Sequence, residues 1–264
     1  MNRRILKWVM LGTSLVVCCG VPAAHAVIHG ITGMTFDLSA KTGYIPTPDG
    51  GSYLMWGFAE DPNDMQYPGP TLIVNQGDTI TVNLTNELTV PVSIVFPGQT
   101  GVTATGGTPG LLTSEADPNG GTVSYEFTAT HAGTYMYHSG TNPELQIEMG
   151  LLGALIVRPT GFSHMMPRAY EHPDTAYDRE VLFLQTEMDP NIHEIVEGTR
   201  PGPVDSSKWF PTIWFINGRC APDTMGMAHD PLLPAQPYNC MPMMHPGERL
   251  LVRDISAGRN THPF

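Results

Sequence analysis

The sequence predicts an all-β protein, and three observations predict it. Gly (28) and Pro (25) make up about a fifth of the 264 residues while charged side chains contribute only 14%, a composition that suits many short strands joined by turns. Apolar and polar residues alternate with period two in "TITVNL" and "TVSYEF", the pattern of half-buried strands. Apolar runs of strand length, such as "GALIV" and "EVLFL", recur between turn signals. The length allows two domains with a sizeable core.

Before the first strand stands a processing signal. Arg3, Arg4 and Lys7 form a basic start, "VMLGTSLVVCCGV" is apolar but too short to span a bilayer, and "AHA" has the form of a cleavage site. Residues 1–26 are therefore predicted to be a signal peptide, with a mature chain that begins at Val27 and is exported to the periplasm or the extracellular space. A lipoprotein reading through Cys18 or Cys19 is weaker, because Val17 or Cys18 stands where a small residue is wanted. Without the leader, ten Lys and Arg face twenty-five Asp and Glu, a net charge of −15. That balance offers nothing to nucleic acid or anionic lipid, and no stable membrane insertion is expected after cleavage. Cys220 and Cys240 remain, in a Pro-rich loop; in an oxidising compartment a disulfide is the simplest reading, with free thiols and metal ligands as alternatives.

Residues 69–84, "GPTLIVNQGDTITVNL", read as a hairpin with a turn at "NQGD", Ile80, Val82 and Leu84 facing the core. "VPVSIVF" (90–96) reads as a further strand, and residues 97–121, crowded with Gly, Thr and Pro, as a long loop. Alternation resumes in "GTVSYEFTAT", with Val123, Tyr125 and Phe127 on one face, and "AGTYMYHSG" and "GLLGALIVRP" supply two more strands. "REVLFLQTEM", "FPTIWFING" and "ERLLVRDIS" then open a second, incomplete series. The expected division is a first domain over 27–161, a linker over 162–178 and part of a second domain over 179–264.

Several segments in order, "YPGPTLIVNQGDTITVNLTN", "GTVSYEFTATHAGTYMYHSG", "MGLLGALIVRP", "FINGR", "GERLLVRDIS" and "NTHPF", resemble the multicopper oxidase family. The resemblance implies plastocyanin-like (cupredoxin) Greek-key β-sandwich domains, one complete and a second incomplete, and a copper cofactor. It also implies an oxidoreductase that passes electrons from a small-molecule or metal-ion donor to oxygen. The chain is then expected to be the N-terminal portion of such a protein.

The family's first domain gives a trinuclear copper cluster four histidines, from a His-Trp-His-Gly and a His-Ser-His motif. Here the first motif falls on "VFPG", with Val95 and Pro97 at the histidine positions. The second falls on "HSG", so His138 matches one ligand and Gly140 replaces the other. Val, Pro and Gly side chains have no lone pair to give copper. The resemblance to copper nitrite reductases fares no better for a blue-copper centre, since Ser139 follows His138 and no cysteine lies in residues 27–219. His262, Pro263 and Phe264 match the opening of the family's third motif, whose first histidine binds type 1 copper. The metal-ligand candidates are thus His138 and His262, set against bland readings as a hydrogen-bonded histidine at a boundary and a lone terminal imidazole.

Two other readings compete. "TMGMAHD" (Met225, Met227, His229) and "CMPMMH" (Met241, Met243, Met244, His245) gather thioethers near imidazoles, a donor set that suits Cu(I); the alternative is that Met fills irregular loops. A metal-free structural domain could instead assemble into a homo-oligomer through an open sheet edge. Asn83 in "NLT" has the form of a glycosylation acceptor but sits in a predicted strand. No phosphate-binding loop, nucleophile elbow or zinc-type Cys pair is present, and the carboxylates are scattered.

Overall fold

The computed structural model describes residues 28–262; the predicted leader, Val27, Pro263 and Phe264 lie outside them. In chain order the strands are β1 (Ile31–Thr32), β2 (Thr35–Pro46), β3 (Ser52–Glu60), β4 (Gly69–Asn75), β5 (Thr79–Asn86), β6 (Thr103–Gly106) and β7 (Thr108–Pro109). They continue as β8 (Ser114–Glu115), β9 (Gly121–Thr128), β10 (Gly133–His138), β11 (Leu152–Arg158), β12 (Arg179–Met188), β13 (Ile213–Ile216) and β14 (Leu250–Ser256). Two short helices, α1 (Pro143–Glu148) and α2 (Pro190–Glu197), interrupt them. The all-β expectation holds.

A five-stranded sheet in the order β3-β2-β5-β9-β6 faces a four-stranded sheet in the order β1-β4-β11-β10. Between them lies the main core, which holds Phe36, Leu38, Leu72, Leu84, Tyr125 and Leu155. The alternation read in the sequence is observed: Ile80, Val82 and Leu84 of β5 and Val123, Tyr125 and Phe127 of β9 are all buried, and Leu84 pairs with Val123 across the ladder. A three-stranded sheet, β13-β12-β14, covers the other side of the four-stranded one. Here Leu182, Leu184, Phe215 and Ile255 pack with Leu152, Ala154 and Ile156. Every residue of β11 is buried, because alternate side chains serve the two cores. A strand covered on both faces carries a continuous apolar run instead of alternation, which is why "LGALIV" reads as it does.

Three local expectations are corrected. Residues 69–84 are not a hairpin: β4 belongs to the four-stranded sheet and β5 to the five-stranded sheet, so the "NQGD" turn crosses the sandwich. Both strands turn apolar faces to the same core, and periodicity alone does not distinguish such an arch from a hairpin. Residues 90–96 form no strand; they run extended and touch their neighbours through single bridges, Val92 to Ala116 and Val95 to His138. The segment 97–121 is not a bare loop, since β6, β7 and β8 lie in it.

The linkage between the layers is ionic as well as apolar. Arg158, at the end of β11, is buried and bonds both oxygens of Glu180 on β12, with Nη1 2.7 Å from Oε2. Arg253 of β14 donates from Nε to the same Oε2 at 3.1 Å and from Nη1 to Thr134 Oγ1 on β10 at 3.0 Å. Burial opposes the charge on Glu180, but the two guanidiniums outweigh it and hold the carboxyl below its ordinary range. The outer face of the three-stranded sheet is open, with Trp214 53% and Val252 41% exposed.

Two predictions follow from this packing. Leu155→Ala should destabilise by about 2–5 kcal/mol through the cavity it leaves, against less than about 0.5 kcal/mol for Leu111→Ala at the surface, read by urea denaturation. A carboxyl whose folded pKa is depressed contributes stability in full above its unfolded value of about 4.3 and loses it as the pH falls through the lower folded value. Glu180→Gln should therefore weaken the acid limb of a stability profile and, at neutral pH, cost about 3–5 kcal/mol by leaving two buried guanidiniums without their counter-ion.

Candidate functional site

The site is built where the 90–96 segment meets the end of β10. Val95 and His138 exchange backbone hydrogen bonds, 2.9 Å from Val95 N to His138 O and 3.2 Å in return. The two positions that the family's motifs would fill with imidazoles are thus direct neighbours in space. Past His138 the chain is fixed by polar contacts: Ser139 Oγ bonds Gln146 Oε1 of α1, Gln146 Nε2 reaches the Pro91 carbonyl at 2.9 Å, and Thr141 Oγ1 donates to Ser93 Oγ at 3.0 Å. These contacts fix the backbone at the motif positions through peptide groups and the Ser93, Ser139, Thr141 and Gln146 side chains.

His138 is half-buried, and its Nδ1 lies 2.8 Å from the Ser139 carbonyl oxygen. A carbonyl only accepts, so Nδ1 carries the hydrogen and Nε2 keeps its lone pair, the state a metal ligand needs. Burial lowers the pKa of this ring, more than the Ser139 contact raises it, and keeps it neutral at pH 7. The other positions do not follow. A Cβ placed on Gly140 would lie 2.7 Å from Val95 Cγ1 and 3.1 Å from Ser93 Oγ, and one on Gly98 2.6 Å from the Tyr135 ring. At Gly140, the motif's second histidine position beside His138, the space is filled by Val95 and Ser93.

His262 is held elsewhere. Glu187 of β12 is fully buried, and its carboxylate accepts from His262 Nε2 at 2.6 Å, Arg259 N at 2.8 Å and Asn260 N at 3.1 Å. Arg259 in turn lies over the Trp209 ring at 4.9 Å and donates to the Glu144 carbonyl. The segment before His262 is thereby wrapped round one carboxylate, a device no sequence pattern announced. His138 and His262 have separate partners, and among the described residues no three His, Cys, Asp or Glu side chains come together to hold a metal. The donor set does not fit a trinuclear copper cluster.

The remaining candidates are placed as follows. Cys220 and Cys240 are free thiols, which corrects the disulfide expectation. Burial pushes both up to about 12, and Cys240 Sγ instead donates to the Ile216 carbonyl at 3.1 Å; thiols that hold their protons this firmly are poor metal ligands. Buried Arg219 staples the loop between them by bonding the carbonyls of Gln236 and Met227 at 2.8 and 2.9 Å. The methionines of both loops reach solvent, Met227 at 74% and Met243 at 65% exposure. Asn83 lies on β5 with its amide engaged by Asp37 and Ser124.

The fold and this geometry define a cupredoxin-like protein. Residues 56–161 match the family model described as multicopper oxidase, which makes that stretch a multicopper oxidase domain. It is 34% identical over 160 residues to an L-ascorbate oxidase of Cucurbita pepo var. melopepo, covering 58% of this chain and 26% of that protein. It is 27% identical over 212 residues to copper resistance protein A of Pseudomonas syringae pv. tomato, covering 74% of this chain and 34% of the relative. In solved structures the fold is shared with a blue copper oxidase from Nitrosomonas europaea, at a TM-score of 0.63 and 24% identity over 85% of this chain and 61% of that one. The chain thus spans about a quarter to a third of the length of these two curated relatives. Among the described residues no helix is long and apolar enough to cross a membrane.

Two substitutions probe the site. Gly140→His should lower stability and add no copper-binding capacity, while the same change combined with Val95→Gly should recover part of the loss; denaturation midpoints and metal analysis read both. Glu187→Ala should release residues 258–262, seen as faster amide exchange at Arg259 and Asn260, with a loss of about 1–3 kcal/mol for the buried groups left unpaired.

Proposed function

We propose that this chain is a ligand-depleted member of a copper-dependent oxidoreductase family, exported after removal of residues 1–26. Residues 27–161 are its first domain, 162–178 a linker and 179–264 part of a second domain. By itself the chain does not reduce oxygen. One observation carries this reading: Val95 Cγ1 stands 2.7 Å from where a Cβ on Gly140 would lie, so His138 is the one imidazole at the four motif positions and the space beside it at Gly140 is closed. His138, with a neutral ring and a free Nε2, and His262 are the proposed remaining copper ligands. Copper in this family supplies electron transfer from a donor to oxygen. A small-molecule or metal-ion donor and oxygen become partners only where further donors complete the site. Residues 27–264, purified and loaded with copper, should show no intense blue absorption and no oxygen uptake with phenolic or metal-ion donors; either signal overturns the reading.

A second reading is favoured by the exposure of Met225, Met227, Met243 and Met244: a non-catalytic copper carrier that holds Cu(I) on soft thioether and imidazole donors. Equilibrium dialysis should then find about one Cu(I) per chain, abolished when Met241, Met243 and Met244 are replaced together. No binding by the parent chain dismisses it.

A further inference from the structure

His29, just ahead of β1, and His229, in the loop between Cys220 and Cys240, are far apart in the chain and meet in the fold. Their ring centres lie 5.1 Å apart with the planes at 85°. Each ring stands on a fixed piece of backbone. Ile28 is buried in the core under the three-stranded sheet, and Gly30 lies so close to Thr71 that a Cβ would meet its carbonyl oxygen; His29 is held between these anchors. On the other side the His229 amide donates to the Pro237 carbonyl at 2.7 Å. The residue takes a left-handed backbone, φ 54, which is uncommon outside Gly. Among the described residues no hydrogen bond engages either ring, so the nitrogens of both are uncommitted.

The spacing selects an ion. An imidazole nitrogen binds Zn(II) at about 2.0–2.1 Å, which puts the ion roughly 3.2 Å from the ring centre. Two rings on one ion then have centres about 5.2 Å apart at the tetrahedral angle, about 4.5 Å at a right angle and about 6.4 Å when opposed. The observed 5.1 Å matches the tetrahedral arrangement of Zn(II) and neither of the angles of square-planar Cu(II). The angle between the ring planes is no obstacle, because each imidazole ligates within its own plane. We propose that His29 and His229 form a Zn(II) site, with water in the two remaining positions. Both rings line a cavity of about 870 Å³ together with Glu60 and Asp64. Lys41, in the same lining, is engaged by Asp61 and Glu87, so the local field favours a cation. Burial, and then the facing His229 ring, lower the pKa of His29 and leave its lone pair free at neutral pH. The bound ion ties the start of the first sandwich to the loop that Arg219 staples, a clip across most of the chain.

The site depends neither on removal of residues 1–26 nor on the methionine loops. The protein, purified without a histidine tag, is titrated with zinc chloride by calorimetry, and separately with Co(II) as a spectroscopic stand-in. About one Zn(II) should bind per chain at roughly 10 µM, since two of the four ligands of a closed structural site are present. Co(II) should give the strong visible absorption of a tetrahedral ion. His29→Gln and His229→Asn should each weaken binding by about 100-fold, because the second imidazole is no longer delivered within the same molecule. Both changes lie outside the core, and Asn tolerates the left-handed backbone at 229, so the unfolding midpoint without metal should stay as it is. His245→Gln, and replacement of Met241, Met243 and Met244 together, should leave Zn(II) binding unchanged, which separates this site from the Cu(I) reading. Absence of Zn(II) binding by the parent chain, binding that survives both His29→Gln and His229→Asn, or a Co(II) spectrum of the weak octahedral kind overturns the proposal.

Discussion

The charge on Glu180 is the constraint that joins the parts of this protein. It is buried between Arg158 at the end of the doubly covered strand and Arg253 on the neighbouring strand of the three-stranded sheet, with the Tyr177 hydroxyl 3.1 Å from Oε2. A buried ion pair adds little net stability compared with a well-packed apolar substitute, but it is intolerant of losing one partner. Its contribution here is positional: it sets the register in which β12 lies over β11, and the apolar contacts of Leu184, Phe215 and Ile156 accumulate on that register. Glu187, near the other end of β12, repeats the device with the His262 ring and the backbone amides of Arg259 and Asn260, and fixes the segment that leads to His262.

The Val95–His138 position shows that the fold does not depend on imidazoles at the motif positions. The backbone bridge between Val95 and His138 survives because it depends on peptide groups alone. Val95 turns the space between the motif positions into packing, and the ring of Tyr135 closes against Gly98 in the same way. An imidazole at Gly140 requires a coupled change at Val95, whose side chain already stands where the new Cβ would lie.

Much of the fold was legible because side-chain alternation survives in β5, β9 and β10, and because the run "LGALIV" has strand length and stands between turn signals. The partner of a strand was not legible: β4 and β5 are neighbours in sequence yet lie in opposite sheets, and both present apolar faces to one core. The helix α2 carried a readable signal, Asp189 as cap with Pro190 at the first turn, but eight residues among strands are easily absorbed into a loop. His138 was singled out by its match to a motif. Glu187 and the meeting of His29 with His229 were not, because the residues involved lie far apart along the chain and only the tertiary structure brings them together.

The parallel pairing of β12 with β14 has a kinetic consequence. Arg179 sits opposite Leu250, so this ladder closes a segment of about 70 residues, much of it irregular. Such long-range closure is entropically expensive and comes late in folding. Until β14 arrives, the Glu180 carboxylate lacks Arg253 and the lower face of β11 is only partly covered. The folding chain therefore passes through a state with an apolar sheet face exposed. Its yield should depend on how long that state meets other copies of itself before the last strand docks.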